Sequence, residues 1–112
     1  MLTVQALADL GANTREGLGR CLNNETFYLR LVNMALDDGG YDKLENALNA
    51  RDTHAAFEAA HALKGVLGNL SLTPLYAPVS ELTELLRQEK TESTEALMQQ
   101  LKAALAQFKA LR

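Results

Sequence analysis

A histidine, a lysine and two glycines stand close together in Ala60-His61-Ala62-Leu63-Lys64-Gly65-Val66-Leu67-Gly68. The alanines and leucines around them spell a helix, and a glycine inside a helix costs about 1 kcal/mol relative to alanine. Two glycines within one turn therefore call for a compensating gain. The natural one is a backbone left bare beside His61, so that a large partner can approach the ring. A neutral imidazole has one unprotonated ring nitrogen able to attack an electrophile. Lys64, at i+3, lies on an adjacent strip of helix surface. From there its ammonium can offset the negative charge of a phosphoryl group on the ring. Gly65, at i+4, removes the side chain that would crowd the modified ring.

The helix that carries these residues starts near Thr53, with Asp52 or Thr53 as its cap, and runs to about Leu70. Wound at ~100° per residue, it gathers Ala56, Ala59, Ala60, Leu63, Val66, Leu67 and Leu70 on one side, the core face. His61 falls roughly 160° from Leu63, almost opposite that face. Gly65 and Gly68 follow on its side, one and two turns along, with Phe57 one turn back and Lys64 at the edge. Close helix–helix packing would turn the glycines inward, whereas the wheel turns them outward. His54, two turns before His61, reads as an ordinary surface histidine. Two histidines seven residues apart are too far for an i,i+4 chelate, so no metal site is expected.

The elements that must position this face are helical throughout. Period-3.6 patterns dominate and strand-like alternation is absent. Leu97, Leu101, Ala104, Leu105, Phe108 and Leu111 form the stripe of a last helix, after the polar start Thr91-Glu92-Ser93-Thr94. Before it, Leu75, Val79, Leu82 and Leu86 share a face, with Thr73 as a cap and Pro74 at the first helical position. Pro78 predicts a kink, or a helix that starts in earnest there. Upstream, Asn23 or Asn24 caps a helix that runs to about Leu36 and ends at Asp37-Asp38-Gly39-Gly40. A short helix from Tyr41 to about Asn49 offers Leu44 and Leu48 to the core. The first two dozen residues hold two short helical pieces broken near Gly11-Ala12-Asn13. The expected fold is all-α: an up-down antiparallel four-helix bundle of the helices near 25–37, 53–70, 74–88 and 93–111, the N-terminal pieces capping one end.

Composition narrows the function classes. The 112 residues suit one compact domain spanning 1–112, and 47% of them are apolar, enough for a proper core. A net charge of −3 with no basic stripe argues against nucleic acid as the partner. Cys21 is the single cysteine, so no internal disulfide forms, and it is expected to pack as a small apolar residue. No signal peptide and no spanning segment is visible, which leaves the cytoplasm as the expected compartment and no membrane partner. Met1 followed directly by the first helical piece favours a free-standing protein. There is no nucleotide-binding loop or dinucleotide fingerprint, so the chain can carry a group but lacks the means to activate ATP. No cofactor is expected, and a monomer closes the bundle without a second chain.

His61-Ala62-Leu63-Lys64-Gly65, followed by Gly68, resembles the H-x-[LI]-K-G-x-x-G signature of histidine-containing phosphotransfer (HPt) domains. Ala59-Ala60 before the histidine is typical of them, as are Gly17-Leu18-Gly19-Arg20 and Asn24-Glu25-Thr26-Phe27-Tyr28-Leu29 upstream. The resemblance implies a phosphorelay intermediate of two-component signalling, partnered by response-regulator receiver domains or a hybrid histidine kinase and without kinase activity of its own. His61 would be the phosphoacceptor, taking a phosphoryl group from a receiver phospho-aspartate and passing it to another receiver. Lys64 would stabilise that group, Gly65 would give clearance, and Phe57 and Gly68 would extend the docking surface. The aspartate and the Mg²⁺ would belong to the receiver. Two positions depart from the pattern. Ser71 stands where a third glycine is frequent. Thr83, with Ser80 and Glu81 nearby, stands where a Gln or Glu often bonds the imidazole. The alternative is a helical adaptor that binds a receiver or kinase without carrying phosphate, and it would not need His61 or Lys64.

Overall fold

A computed structural model describes all residues from Met1 to Arg112. It contains seven helices and no strand: α1 (Val4–Asp9), α2 (Thr14–Arg20), α3 (Glu25–Leu36), α4 (Gly40–Asn49), α5 (Thr53–Asn69), α6 (Thr73–Arg87) and α7 (Thr94–Lys109). Four N-termini are closed by the short polar side chain just ahead of them. Thr3, Asn13, Asn24 and Asp52 accept from the backbone N–H groups of Ala6, Glu16, Phe27 and Ala55, which otherwise lack helical partners.

The helices form the expected antiparallel bundle, with one leg built differently. α3 and α4 follow one another down the same side, antiparallel to α5. Tyr28 in the first turn of α3 donates its hydroxyl hydrogen to Leu70 O at 2.9 Å, at the C-terminal end of α5, and α4 leads through Asp52 directly into the start of α5. The 12 residues of α3 and the 10 of α4 extend about 18 and 15 Å, so neither alone spans the 40 Å long axis. The first leg is thus α3 plus α4 rather than the helix near 25–37 alone. α4 buries Tyr41, Leu44 and Ala47 against α5. α6 and α7 complete the bundle, and α7 returns to the first leg through Lys102–Glu45 and Arg112–Asp37 ion pairs, each with a contact near 2.8 Å.

One continuous core fills the interior. It includes the predicted Leu63, Leu67, Leu75, Val79, Leu82, Leu86, Leu97, Leu101 and Phe108, with Cys21 free and buried at its edge. Two expectations for α6 fail. The helix does not restart at Pro78 but runs unbroken from Thr73, because only the Pro74 carbonyl loses a donor there while Pro78 itself is buried. Thr73 is not the cap; Leu72 holds that position, and the Thr73 hydroxyl leans back to Ser71 O at 3.5 Å.

Five helices (α1, α2, α4, α5 and α6) end in the same reversal, in which two N–H groups just past the helix return to carbonyls of its last turn. The residue at the turn takes a left-handed conformation. Only α1 uses glycine there, Gly11; the others use Leu22, Arg51, Ser71 and Glu89, with φ between 54° and 58°. α1 and α2 cover the end of the bundle where α5 turns into α6. Asn13 N–H donates to Ser71 O at 2.9 Å. Gly17 sits so close to that turn that a Cβ would stand 2.7 Å from Leu70 O and 2.6 Å from the Tyr28 ring.

Candidate functional site

His61 is exposed on the outward side of α5, opposite Ala56, Ala60, Leu63 and Leu67, which are buried. Gly65, one turn on, is bare: a Cβ built there would meet nothing within 4 Å. The wheel placed both residues correctly. Gly68 differs. A Cβ there would come within 3.1 Å of Tyr76 Cε1 on α6, so this glycine seats a neighbouring ring as well as lining the outer face. The expectation that both glycines are pure clearance is corrected on this point. One helical wheel does not show a side chain that crosses from the next helix.

The imidazole is held by stacking. Phe57 lies one turn back with its ring centroid 5.7 Å from that of His61 and the planes 14° apart. The Arg87 guanidinium reaches over the Phe57 ring from α6, 5.1 Å from its centroid. Lys64, partly buried, has its Nζ 4.0 Å from Glu84 Oε1, and Arg87 Nε is 3.5 Å from Glu84 Oε2. Glu84 therefore stands between Lys64 and Arg87. Thr83 is not the imidazole's partner. It is fully buried, and its hydroxyl donates to Val79 O within α6 at 2.8 Å. His54 is highly exposed and pairs with Glu58 at 2.6 Å along its own helix. No group of three His, Cys, Asp or Glu side chains gathers anywhere in the fold to hold a metal ion.

An open groove runs from His61 toward the end of α5. It is lined by Lys64, Gly65 and Gly68 of α5, Tyr76 of α6, and Glu16 and Arg20 of α2. A second groove, between α4 and the start of α7, contains no histidine, cysteine or lysine. At the far end of the first groove a polar cluster fastens α2 to α5. Arg20 Nη1 donates to Gly68 O (3.0 Å) and to Ser71 Oγ (2.7 Å), while Ser71 Oγ donates to Glu16 Oε1 (2.9 Å) and Arg20 Nη2 reaches the same oxygen (2.8 Å). The Ser71 hydroxyl and then Arg20 hold the Glu16 carboxyl below the usual carboxylate range. Arg20 brings positive charge to the carbonyl end of α5, where the helix dipole favours it. Ser71 thus accepts a left-handed backbone that suits glycine better and uses its hydroxyl to join two elements.

Sequence reasoning missed Glu84, Arg87, Tyr76 and the α2 cluster. Glu84 and Arg87 carried a faint signal, being charged residues one turn apart on the helix that carries Thr83. Tyr76 acts across helices and left none, while Arg20 and Ser71 stood in segments compared with the family but without this role.

The sequence profile of the Hpt domain matches residues 40–111. The chain belongs to the Hpt domain family. Hpt domains are phosphotransfer modules of two-component signalling that work with response-regulator receivers and kinases, and are not themselves kinases. The matched part includes α4 to α7, hence His61 and all of its α5 and α6 neighbours, while α1 to α3 lie outside it. No curated protein and no solved structure gives a match. No helix of this Hpt protein is long and apolar enough to cross a membrane.

Proposed function

We propose that this Hpt protein is a phosphorelay intermediate in which His61 takes a phosphoryl group from the phospho-aspartate of one receiver domain and hands it to another. The observation that carries this reading is an exposed imidazole beside the bare backbone of Gly65, on the outward face of α5 in a domain of this family. An unprotonated ring nitrogen attacks the phosphorus in line. The new N–P bond forms as the acyl-phosphate P–O bond breaks, and the electron pair stays on the receiver's carboxylate. The proton on the other ring nitrogen remains there or leaves to solvent. Transfer onward runs the same steps in reverse on the second receiver.

Such transfers depend on positioning and charge rather than on new covalent machinery. Lys64 rests against Glu84 in the free protein and turns its ammonium to the phosphoryl oxygens once they arrive. Gly65 gives the receiver clearance, and Gly68 with its covering Tyr76 forms a flank of the docking surface. The protein has no kinase activity of its own. Residues 1–112 act as one unit, a reading supported by the α2 cluster and the Tyr28–Leu70 hydrogen bond that fix the N-terminal helices to the end of α5. Its core closes within one chain, which supports a monomer.

The test is incubation with a phosphorylated receiver, followed by analysis of the label. The expected product is an acid-labile, alkali-stable phosphate, lost in His61→Gln and retained in His54→Ala. Label that persists in His61→Gln overturns the assignment. Receiver binding with no label on the wild type replaces the relay with an adaptor.

A further inference from the structure

We infer that Phe57 is a positioning residue for the His61 imidazole, itself anchored by Arg87 of α6. This rests on the reading of His61 as the phosphoacceptor.

An exposed imidazole on a helix turns about two side-chain bonds, and a nucleophile needs its lone pair held near the line of attack. A hydrogen bond to one ring nitrogen would restrain it, but the residue placed to make one, Thr83, has its hydroxyl bonded to Val79 O inside α6. No side-chain hydrogen bond or ion pair holds the His61 ring, which stacks instead on Phe57. Its centroid distance of 5.7 Å and interplanar angle of 14° describe an offset stack within the range that aromatic pairs prefer. Stacking holds the face of the ring. Both nitrogens lie on the edge and stay free, so restraint is gained without occupying the atom that reacts.

Phe57 needs an anchor, because it is only partly buried. Arg87 supplies one from a second helix, its guanidinium 5.1 Å from the ring centroid, within cation–π range. Glu84 steadies Arg87 from one turn back on α6, at 3.5 Å, and the same carboxylate faces Lys64 at 4.0 Å. The contacts His61–Phe57–Arg87–Glu84–Lys64 thus form a chain of five side chains across α5 and α6. A docking role for Phe57 predicts that its loss weakens receiver binding. A positioning role predicts that binding is kept and the saturated rate falls.

The experiment uses the full chain, a phosphorylated receiver domain, and the variants Phe57→Leu, Phe57→Tyr and Arg87→Met. Transfer is measured over a range of receiver concentrations, and the His61 ring protons are followed by NMR. In Phe57→Leu the rate at saturating receiver is expected to fall about tenfold, in line with the cost of a misplaced reacting group, with the half-saturating concentration unchanged. The His61 ring protons should lose the ring-current displacement that a stacked phenyl imposes. Phe57→Tyr should restore both. Arg87→Met, on the surface, should move the His61 signals in the same direction as Phe57→Leu, and it tests the anchor even if Phe57→Leu fails to fold. A wild-type saturated rate in Phe57→Leu overturns the positioning role, as does a loss confined to half-saturation or unmoved His61 signals. Absence of label on the wild type overturns the relay reading instead, and the NMR signals then still report whether the stack exists.

Discussion

Replacing Gly65 should make the protein more stable and less active, and the two effects separate cleanly. A Cβ at this position meets nothing within 4 Å, so Gly65→Ala adds no strain. It removes the conformational cost of glycine in a helix interior, about 1 kcal/mol. For 112 residues the entropy of unfolding near the midpoint is about 0.24 kcal/mol/K, so that gain raises Tm by roughly 4 °C. Gly68→Ala is the internal control. Its propensity gain is the same, but its Cβ would stand 3.1 Å from Tyr76 Cε1 and the ring must give way. Its net change should be less than half that of Gly65→Ala. The functional arm uses Gly65→Gln, whose longer side chain projects into the space above the bare backbone. Transfer from a phosphorylated receiver should slow by about tenfold, because displacing a docked partner by an ångström costs that order or more. Thermal unfolding followed by circular dichroism and a transfer time course suffice. A lower Tm for Gly65→Ala, or wild-type transfer by Gly65→Gln, refutes the idea that this glycine is clearance.

Gly17→Ala should destabilise the protein by about 2 kcal/mol in chemical denaturation, because its Cβ would meet the Tyr28 ring at 2.6 Å and the Leu70 carbonyl at 2.7 Å, one of which is backbone that moves little. Tyr41→Phe should stabilise it by about 1 kcal/mol in the same assay, since the Tyr41 hydroxyl is buried without a hydrogen-bond partner and burial pushes its ionisation up. The hold of α2 on α5 should weaken in acid. Glu16 titrates below its unfolded value, so its stabilising contribution is present above the ordinary glutamate range near pH ~4.3 and is lost as pH falls through the folded value. Amide exchange should rise in α2 earlier than in α5 on acidification, and equal protection of the two down to acid unfolding would contradict this.

The apolar stripes of α5, α6 and α7 were legible because burial against a neighbour imposes a 3.6-residue period on each helix separately. The same logic found the outward direction of His61 and the open space at Gly65. What stayed hidden depends on two elements at once. Gly39-Gly40 announced the end of α3, and nothing local told that α4 would continue the same leg. The turns at Leu22, Arg51, Ser71 and Glu89 lacked the glycine that usually announces them, and their geometry is set by the N–H groups that fold back onto each helix. Tyr76 over Gly68 and Arg87 over Phe57 are meetings of α5 with α6, invisible to a wheel drawn for either alone. The Thr83 expectation failed for a related reason. Thr83 is buried in α6, and its hydroxyl finds an acceptor in the preceding turn of its own helix.

The α2 cluster divides the groove along a line that matters for descent. The imidazole's stacking partner comes from α5 and that partner's anchor from α6, both inside residues 40–111, while the opposite wall of the groove includes Glu16 and Arg20, outside them. Arg20 and Ser71 fasten that wall to the reactive helix at its terminus and not at His61. Substitutions in α2 can therefore reshape the groove that a partner enters while the reacting ring and its supports stay as they are. After a gene duplication, two copies could drift apart in the company they keep through a handful of changes in one short helix, with no interruption in the chemistry either performs.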